Sequence, residues 1–385
     1  MTSPVRIAFV ITGLGVGGAE AMLLKLLQRI DRQAFSPHVL SLSSTGELGP
    51  AIEALGIPVT ALDMPANWRA VAALPRLMRL LRTLRPDVVH TWMYHADLLG
   101  GLAARGAGHC RLVWGIRHSN LAPDLNKRST LAVARLCAGL SRWLPNRILV
   151  CSQAALQAHA RFGYGTRRMS VIPNGFDVSR FSPDAQARAA VRAELQLGEN
   201  TPLVGVVARF DPQKNHLGFM RAMAHLHRQS PATHFLLAGR GIDPRNATLL
   251  QAARQAGIER NCHLLGQRND IPRLMAALDV LVSPSLGEAF PNAIGEAMAC
   301  AVPCVATDVG DCAALLGETG RIVPRADDPI ALAQATASLL ELPGPARRQL
   351  GELARARVMA QFELGQVVAQ YEHFYRTLMQ EGPAA

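Results

Sequence analysis

The chain has no Asp-x-Asp pair, no Cys-x-x-Cys pair, and no apolar run approaching the roughly 20 residues of a membrane span. Each absence closes off a class. Without Asp-x-Asp there is no obvious carboxylate cluster for a divalent metal holding a nucleotide diphosphate. Without paired cysteines, and with an odd total of seven, the thiols read as buried and reduced, not as a disulfide framework. A Gly-Lys-Ser/Thr phosphate loop and a Gly-x-Ser-x-Gly elbow are missing as well, which argues against P-loop nucleotide hydrolases and α/β-hydrolases. Aromatic residues make up only 5% of the chain and are not interleaved with basic ones, so RNA-binding modules are disfavoured. The first apolar run, Ile7 to Ile11, is too short for a signal peptide and passes straight into glycines, so a cytoplasmic location is expected.

What is present is positive charge and length. The net charge of +11 points to an anionic partner: nucleic acid, an anionic membrane surface or phosphate-bearing substrates, of which nucleic acid is the one not expected here. A chain of 385 residues exceeds one ordinary core, so at least two domains are expected. Buried-strand runs at 5–11, 39–42, 57–62, 87–90, 111–116, 148–152 and 169–175 alternate with helical spacing. After a polar stretch at 176–200 the alternation restarts, with strands at 203–208, 234–239, 262–265, 279–283 and 302–306, and residues 350–380 read as helical. The pattern predicts two doubly wound α/β domains with parallel sheets.

Four groups of residues carry candidate chemistry. Glu288 lies in a Gly- and Pro-bounded loop after a strand, and Glu296 lies eight positions on, in an apolar helix. Ligands of open α/β sheets bind at the carboxyl ends of strands, and a helix start there suits an anion. The plainer account is two acids favoured near a helix N-terminus by its dipole. Arg209 and Lys214 follow the first strand of the second half and fall on the same sheet edge as Glu288; two exposed loop cations are the alternative. The turn Thr12 to Gly18 matches a dinucleotide fingerprint at Gly13, Gly15 and Gly18, but the second strand ends without the ribose-binding acid that a nicotinamide enzyme needs. His118, at the end of the fifth strand, ranks first among strand-end histidines, ahead of His90 and His95; a structural hydrogen-bonding role is the alternative.

The glycine turn with Ala19-Glu20, the Arg209…Lys214-Asn215 segment and Glu288-x7-Glu296 with Phe290-Pro291-Asn292 together closely resemble the retaining GT-B glycosyltransferases of family 4. Val302 to Gly310 and Val171 to Asp177 add to the likeness, which spans nearly the whole chain. The resemblance implies two Rossmann-like domains across a cleft: 1–180 for the acceptor, 181–362 for the nucleotide-sugar, and a final helix, 363–385, returning to the first domain. It implies that Arg209 and Lys214 hold the diphosphate and that Glu296 binds the ribose. Glu288 and the amides of Phe290, Pro291, Asn292 and Ala293 would contact donor sugar and phosphate. Gly17 and Gly18 would close on the phosphate, and His118 would touch the transferred sugar. It further implies a metal-independent enzyme without a cofactor, moving a sugar from a UDP-sugar, or less readily a GDP-sugar, to a glycan or lipid-linked acceptor in cell-surface polysaccharide synthesis. After Gly310 the pattern departs from many relatives, so no donor role is assigned beyond it. A metal-independent sugar-nucleotide epimerase and a non-catalytic nucleotide-sugar or nucleic-acid binding protein are the other readings. Two basic, apolar segments, the helix at 74–84 and residues 126–147, are candidates for docking on an anionic membrane at its inner face.

Overall fold

Both halves of the chain build a wholly parallel sheet. Their strands are near-continuous apolar runs because helices cover both faces and leave no solvent side to alternate with. In this computed structural model residues 3–64, 72–108, 110–123 and 126–381 are described. The first sheet contains β1 (Val5–Ile11), β2 (Phe35–Ser41), β3 (Val59–Ala61), β4 (Val88–Trp92), β5 (Arg111–Ile116), β6 (Arg147–Val150) and β7 (Met169–Val171), in the order β3-β2-β1-β4-β5-β6-β7. The second contains β8 (Leu203–Val207), β9 (His234–Ala238), β10 (Cys262–Leu264), β11 (Val280–Ser283), β12 (Cys304–Thr307) and β13 (Arg321–Val323), in the order β10-β9-β8-β11-β12-β13. In each sheet the order reverses once, between β1 and β4 and between β8 and β11. Those are the switch points at which open α/β sheets take their ligands.

Residues up to Gly175, together with those from Leu364 onward, form one compact unit, and Phe176–Glu363 form the other. The chain therefore leaves the first unit once and returns to it. The return is the helix Leu364–Gln380. It buries Leu364, Val367, Val368, Tyr371, Tyr375 and Leu378 in the core that covers one face of the first sheet, with Ile7, Phe9, Val88 and Trp92. The 350–380 stretch is not one helix. It breaks between the helix Gly344–Gln361 and the last helix. The Phe362 carbonyl accepts from the Phe176 amide at 2.8 Å, and Glu363 bridges to Phe176 as a parallel strand, so the backbone there serves a sheet-like contact. The short strand β13 was not anticipated: three residues beginning with Arg321 give too little apolar signal.

The helix Leu74–Leu84 corrects one expectation. Its leucine face is turned inward, with Leu77 and Leu81 buried and Leu74 and Leu84 packed against the same core. Arg76 donates to the Leu62 carbonyl at 3.2 Å and Arg82 to that of Gly106 at 2.7 Å. That face is core and offers nothing to a membrane.

Asp97 is fully buried beneath β4 and β5. It accepts from the Thr91 hydroxyl at 2.5 Å and from the Gly115 amide at 3.3 Å. Burial pushes its pKa up to about 8 from 3.8, against those hydrogen bonds and the Arg117 charge. From about pH 4 to about pH 8 the folded state thus holds a proton that the unfolded chain has released. This contribution to stability is complete below pH ~4 and is lost as pH rises through about 8. Asp97→Asn is expected to flatten the pH dependence of the unfolding free energy from urea titrations in that window by up to about 1.4 kcal/mol per pH unit. An unchanged slope would show that Asp97 does not titrate there.

Candidate active site

Two loops meet at the carboxyl edge of the second sheet, one after β8 and one after β11. The first carries Arg209, whose side chain is 44% exposed and pairs with Asp211 at 3.1 Å. Asp211 also accepts from the Gln213 amide at 2.9 Å and so opens the single turn Pro212–Lys214. Asn215 closes that turn at φ +51° and caps the helix His216–Gln229 by accepting from the Gly218 amide at 3.1 Å. An asparagine tolerates this left-handed conformation better than most residues. Its side-chain amide donates to the Pro284 carbonyl at 3.0 Å and to that of Ala326 at 3.2 Å, which ties the two loops together. The Leu286 amide adds a second tie, to the Gln213 carbonyl, at 2.7 Å.

These ties aim Lys214 at Glu288. Nζ lies 2.5 Å from Oε1, with the side chains 21% and 11% exposed. The Ser285 hydroxyl donates to the same carboxylate oxygen at 2.7 Å, and the Thr307 hydroxyl holds the Ser285 carbonyl at 2.6 Å. Gly310, at φ +58°, presses on the loop from a third side. A Cβ there would stand 2.1 Å from the Glu288 carbonyl oxygen. Only glycine fits, for both reasons.

The helix Asn292–Ala299 starts directly after this loop, and no side chain caps its N-terminus. Its N-cap residue is Pro291, which has no N–H and so cannot be one of the expected amide donors; its part is a preset φ. Phe290, Asn292 and Ala293 remain as residues with an amide. The Phe290 ring is turned away from solvent, 6% exposed, stacked at 6.0 Å on Phe176 and 5.7 Å from Phe362. Gly295 is small because the Phe176 ring lies 2.0 Å from where its Cβ would be. Glu296 is half-buried one turn into the helix. Near it the Cys300 thiol is pushed up to about 12 by burial first and then by the Glu296 charge.

The remaining candidates belong to the first unit. Gly17 is the N-cap of the helix Gly18–Arg29, which has no side-chain cap. A Cβ on Gly17 would meet the Glu20 carboxylate at 2.4 Å, so an acid already lies over this N-terminus. His118 follows β5, half-buried, with Nε2 3.0 Å from Asn126 Oδ1. Asn126 in turn donates to the carbonyls of Asn120 and Ala122, both at 2.9 Å, which fixes the loop around the histidine. His90 drops out of the ranking. It is fully buried, its Nδ1 lies 2.7 Å from the Tyr375 hydroxyl, and burial depresses its pKa strongly. His95 is half-buried, with its pKa lowered by burial. Arg117 was not singled out from the sequence. Its guanidinium stacks 3.8 Å from the centre of the Trp92 ring and donates to the Tyr371 hydroxyl, anchoring the chain just before His118.

Comparison with known proteins decides the family. The model for Glycosyltransferase Family 4 matches residues 16–180, and that for Glycosyl transferases group 1 matches residues 201–342. The lipopolysaccharide core biosynthesis mannosyltransferase LpsB of Rhizobium meliloti is 32% identical over 353 residues, covering 86% of this chain and 92% of LpsB. The chain is a family 4, group 1 glycosyltransferase. An Escherichia coli relative of this glycosyltransferase, UDP-Gal:alpha-D-GlcNAc-diphosphoundecaprenol alpha-1,3-galactosyltransferase, is 27% identical over 323 residues, 80% of each chain. The structure of Anabaena Alr3699/HepE in complex with UDP and glucose superposes with a TM-score of 0.84 at 23% identity, covering 97% of this chain and 100% of that one. The glycosyltransferase thus has the GT-B fold of two Rossmann-like α/β domains. Among its described residues no helix is long and apolar enough to cross a membrane.

Proposed function

We propose that the enzyme transfers a sugar from a UDP-sugar to a hydroxyl of a glycan or lipid-linked acceptor, with retention at the anomeric carbon, in cell-surface polysaccharide synthesis at the inner face of the membrane. A GDP-sugar is the second choice of donor. The observation that carries this reading is the Lys214–Glu288 pair at the β8/β11 switch point, beside an uncapped helix start. Two similar proteins support the donor class: the Escherichia coli relative is a UDP-Gal galactosyltransferase, and HepE was solved with UDP and glucose.

In this reading the bond from the anomeric carbon to the diphosphate oxygen breaks, and the leaving oxygen gains negative charge. Arg209 and Lys214 stabilise that charge, as preorganised cations do where charge develops. The acceptor hydroxyl attacks on the face the diphosphate leaves, and its proton passes to the departing phosphate oxygen. Glu288 binds donor-sugar hydroxyls and orients Lys214, while Glu296 binds the ribose. The amides of Phe290, Asn292 and Ala293 receive phosphate oxygens, Gly17 and Gly18 approach the phosphate, and His118 contacts the transferred sugar. The first unit takes the acceptor. The reading needs neither a metal nor a cofactor, since two cations and a helix start carry the diphosphate charge.

Thermal unfolding with UDP-, GDP- and ADP-sugars tests the donor. A matching ligand at 100 times its Kd adds about 2.7 kcal/mol, a rise of about 3 °C if the whole chain unfolds as one and about 7 °C if the second unit unfolds by itself. A UDP-sugar should give the largest rise, and proton NMR of the product should show the donor's anomeric configuration. An inverted product overturns the mechanism. An epimerised nucleotide-sugar formed without acceptor overturns the transfer reading.

A further inference from the structure

Between Asp124 and Asp177 the sequence contains eight Lys and Arg and not one Asp or Glu, in a chain whose whole net charge is +11. The helix Arg128–Leu140 opens this acid-free segment. It buries Leu131, Ala134, Cys137 and Ala138 in the core, so its inward face is already occupied. Its exposed residues are Arg128, Ser129, Ala132, Arg135, Leu136 and Gly139, and all but Ser129 fall along one stripe, continued by Arg142 and Trp143 in the turn that follows. Trp143 is 73% exposed and Leu136 58%, the highest values for large apolar side chains among the described residues. Trp143 does not dangle. Arg168 donates to its carbonyl at 3.3 Å and also to that of Pro145, and Arg105 donates to the Leu144 carbonyl at 2.8 Å. Gly165 lies against the Arg142 stem, so the turn is backed by the rest of the acid-free segment.

We propose that this face docks the enzyme on an anionic lipid bilayer, with Leu136 and Trp143 entering the interface and Arg128, Arg135 and Arg142 meeting the headgroup phosphates. For its purpose, access to a lipid-linked acceptor, the inference rests on the reading above. It uses none of the donor residues. The chemistry selects a bilayer over other anionic partners. Single-strand nucleic acid would want several aromatic platforms, and this face has one tryptophan. A protein interface keeps charge to its rim around an apolar centre, whereas here arginines alternate with the apolar residues along the stripe. A rigid indole beside arginines is the residue set of interfacial anchoring.

The test is flotation of the full-length protein with vesicles of phosphatidylcholine alone and of equal parts phosphatidylcholine and phosphatidylglycerol. Binding is expected only to the anionic vesicles, and to weaken as salt is raised. Each arginine near such a surface contributes about a fivefold gain in partition, so R128Q/R135Q/R142Q should bind on the order of 100-fold less. Trp143→Ala should lower binding without altering its dependence on anionic lipid. The same variants should keep the UDP-sugar thermal shift of the parent, which also checks their folding. Equal binding to neutral vesicles, no binding to either, or parent-like binding by the triple variant overturns the proposal. So does binding to an oligonucleotide in place of vesicles. Vesicle binding without any nucleotide-sugar shift would leave this face standing and sink the donor reading.

Discussion

Replacing Lys214 by alanine is expected to lower kcat by a factor on the order of 100 to 1,000, the cost of deleting one preorganised charge partner at a site where charge develops. The geometry accounts for the size. Lys214 is only 21% exposed and stands 2.5 Å from a carboxylate that is 11% exposed. Water therefore makes a poor substitute for the ammonium, and the deletion leaves a nearly buried carboxylate without its cation. The fold should be kept, since the turn that carries Lys214 is built by Asp211 and Asn215, with some loss of stability from the Glu288 carboxylate left without its cation. The measurement is kcat and KM at saturating acceptor, with thermal unfolding as the control. Comparing Lys214→Ala, Glu288→Gln and the double variant separates two roles. If Lys214 served only to position Glu288, the double variant would be no worse than Glu288→Gln alone. Near-parental transfer by Lys214→Ala would remove it from the donor site.

Gly310→Ala is expected to be the most damaging substitution that touches no candidate ligand. The position needs φ +58°, and the new Cβ would lie 2.1 Å from the Glu288 carbonyl oxygen and 3.1 Å from that of Ala289. Both obstacles are backbone, so no side chain can rotate out of the way. The conformation alone costs about 1 kcal/mol for a non-glycine residue, and overpacking adds about 1–3 kcal/mol. The cheapest relief is to push the 288–289 backbone outward, which carries Glu288 off Lys214. A loss of stability of about 2–4 kcal/mol should therefore come with a fall in kcat of about 100-fold, since misplacements near 1 Å cost that much. Urea unfolding and turnover measure the two separately. A variant that unfolds like the parent would show that the loop has room.

The two sheets were legible because buried parallel strands are apolar throughout and separated by helix-length spacers. Arg209, Lys214 and Glu288 were legible because they stand in loops that follow strands, and Glu296 because it lies in the helix that follows one such loop. The ties between them were not: Asn215 to Pro284 spans 69 positions, and nothing local marks it. Gly310 closing on Glu288 is the same kind of contact between strand ends. The burial of His90 has a local signal in the sequence. His90 alternates with Val88 and Trp92, so period-two spacing puts it on their face of β4, and both are core residues. Its burial against Tyr375 follows from that register once the last helix returns. Pro291 needed no structure at all, since proline lacks an amide proton.

Phe176 and Glu363 lie side by side where the chain enters and leaves the second unit. A segment whose ends adjoin can be lifted out of a gene, or set into another, without stretching either flank. The two family models divide near the first of these crossings, one ending at residue 180, five residues into the second unit, and the other matching 201–342 inside it. The second unit can therefore be exchanged as one cassette while the chain of the first is kept.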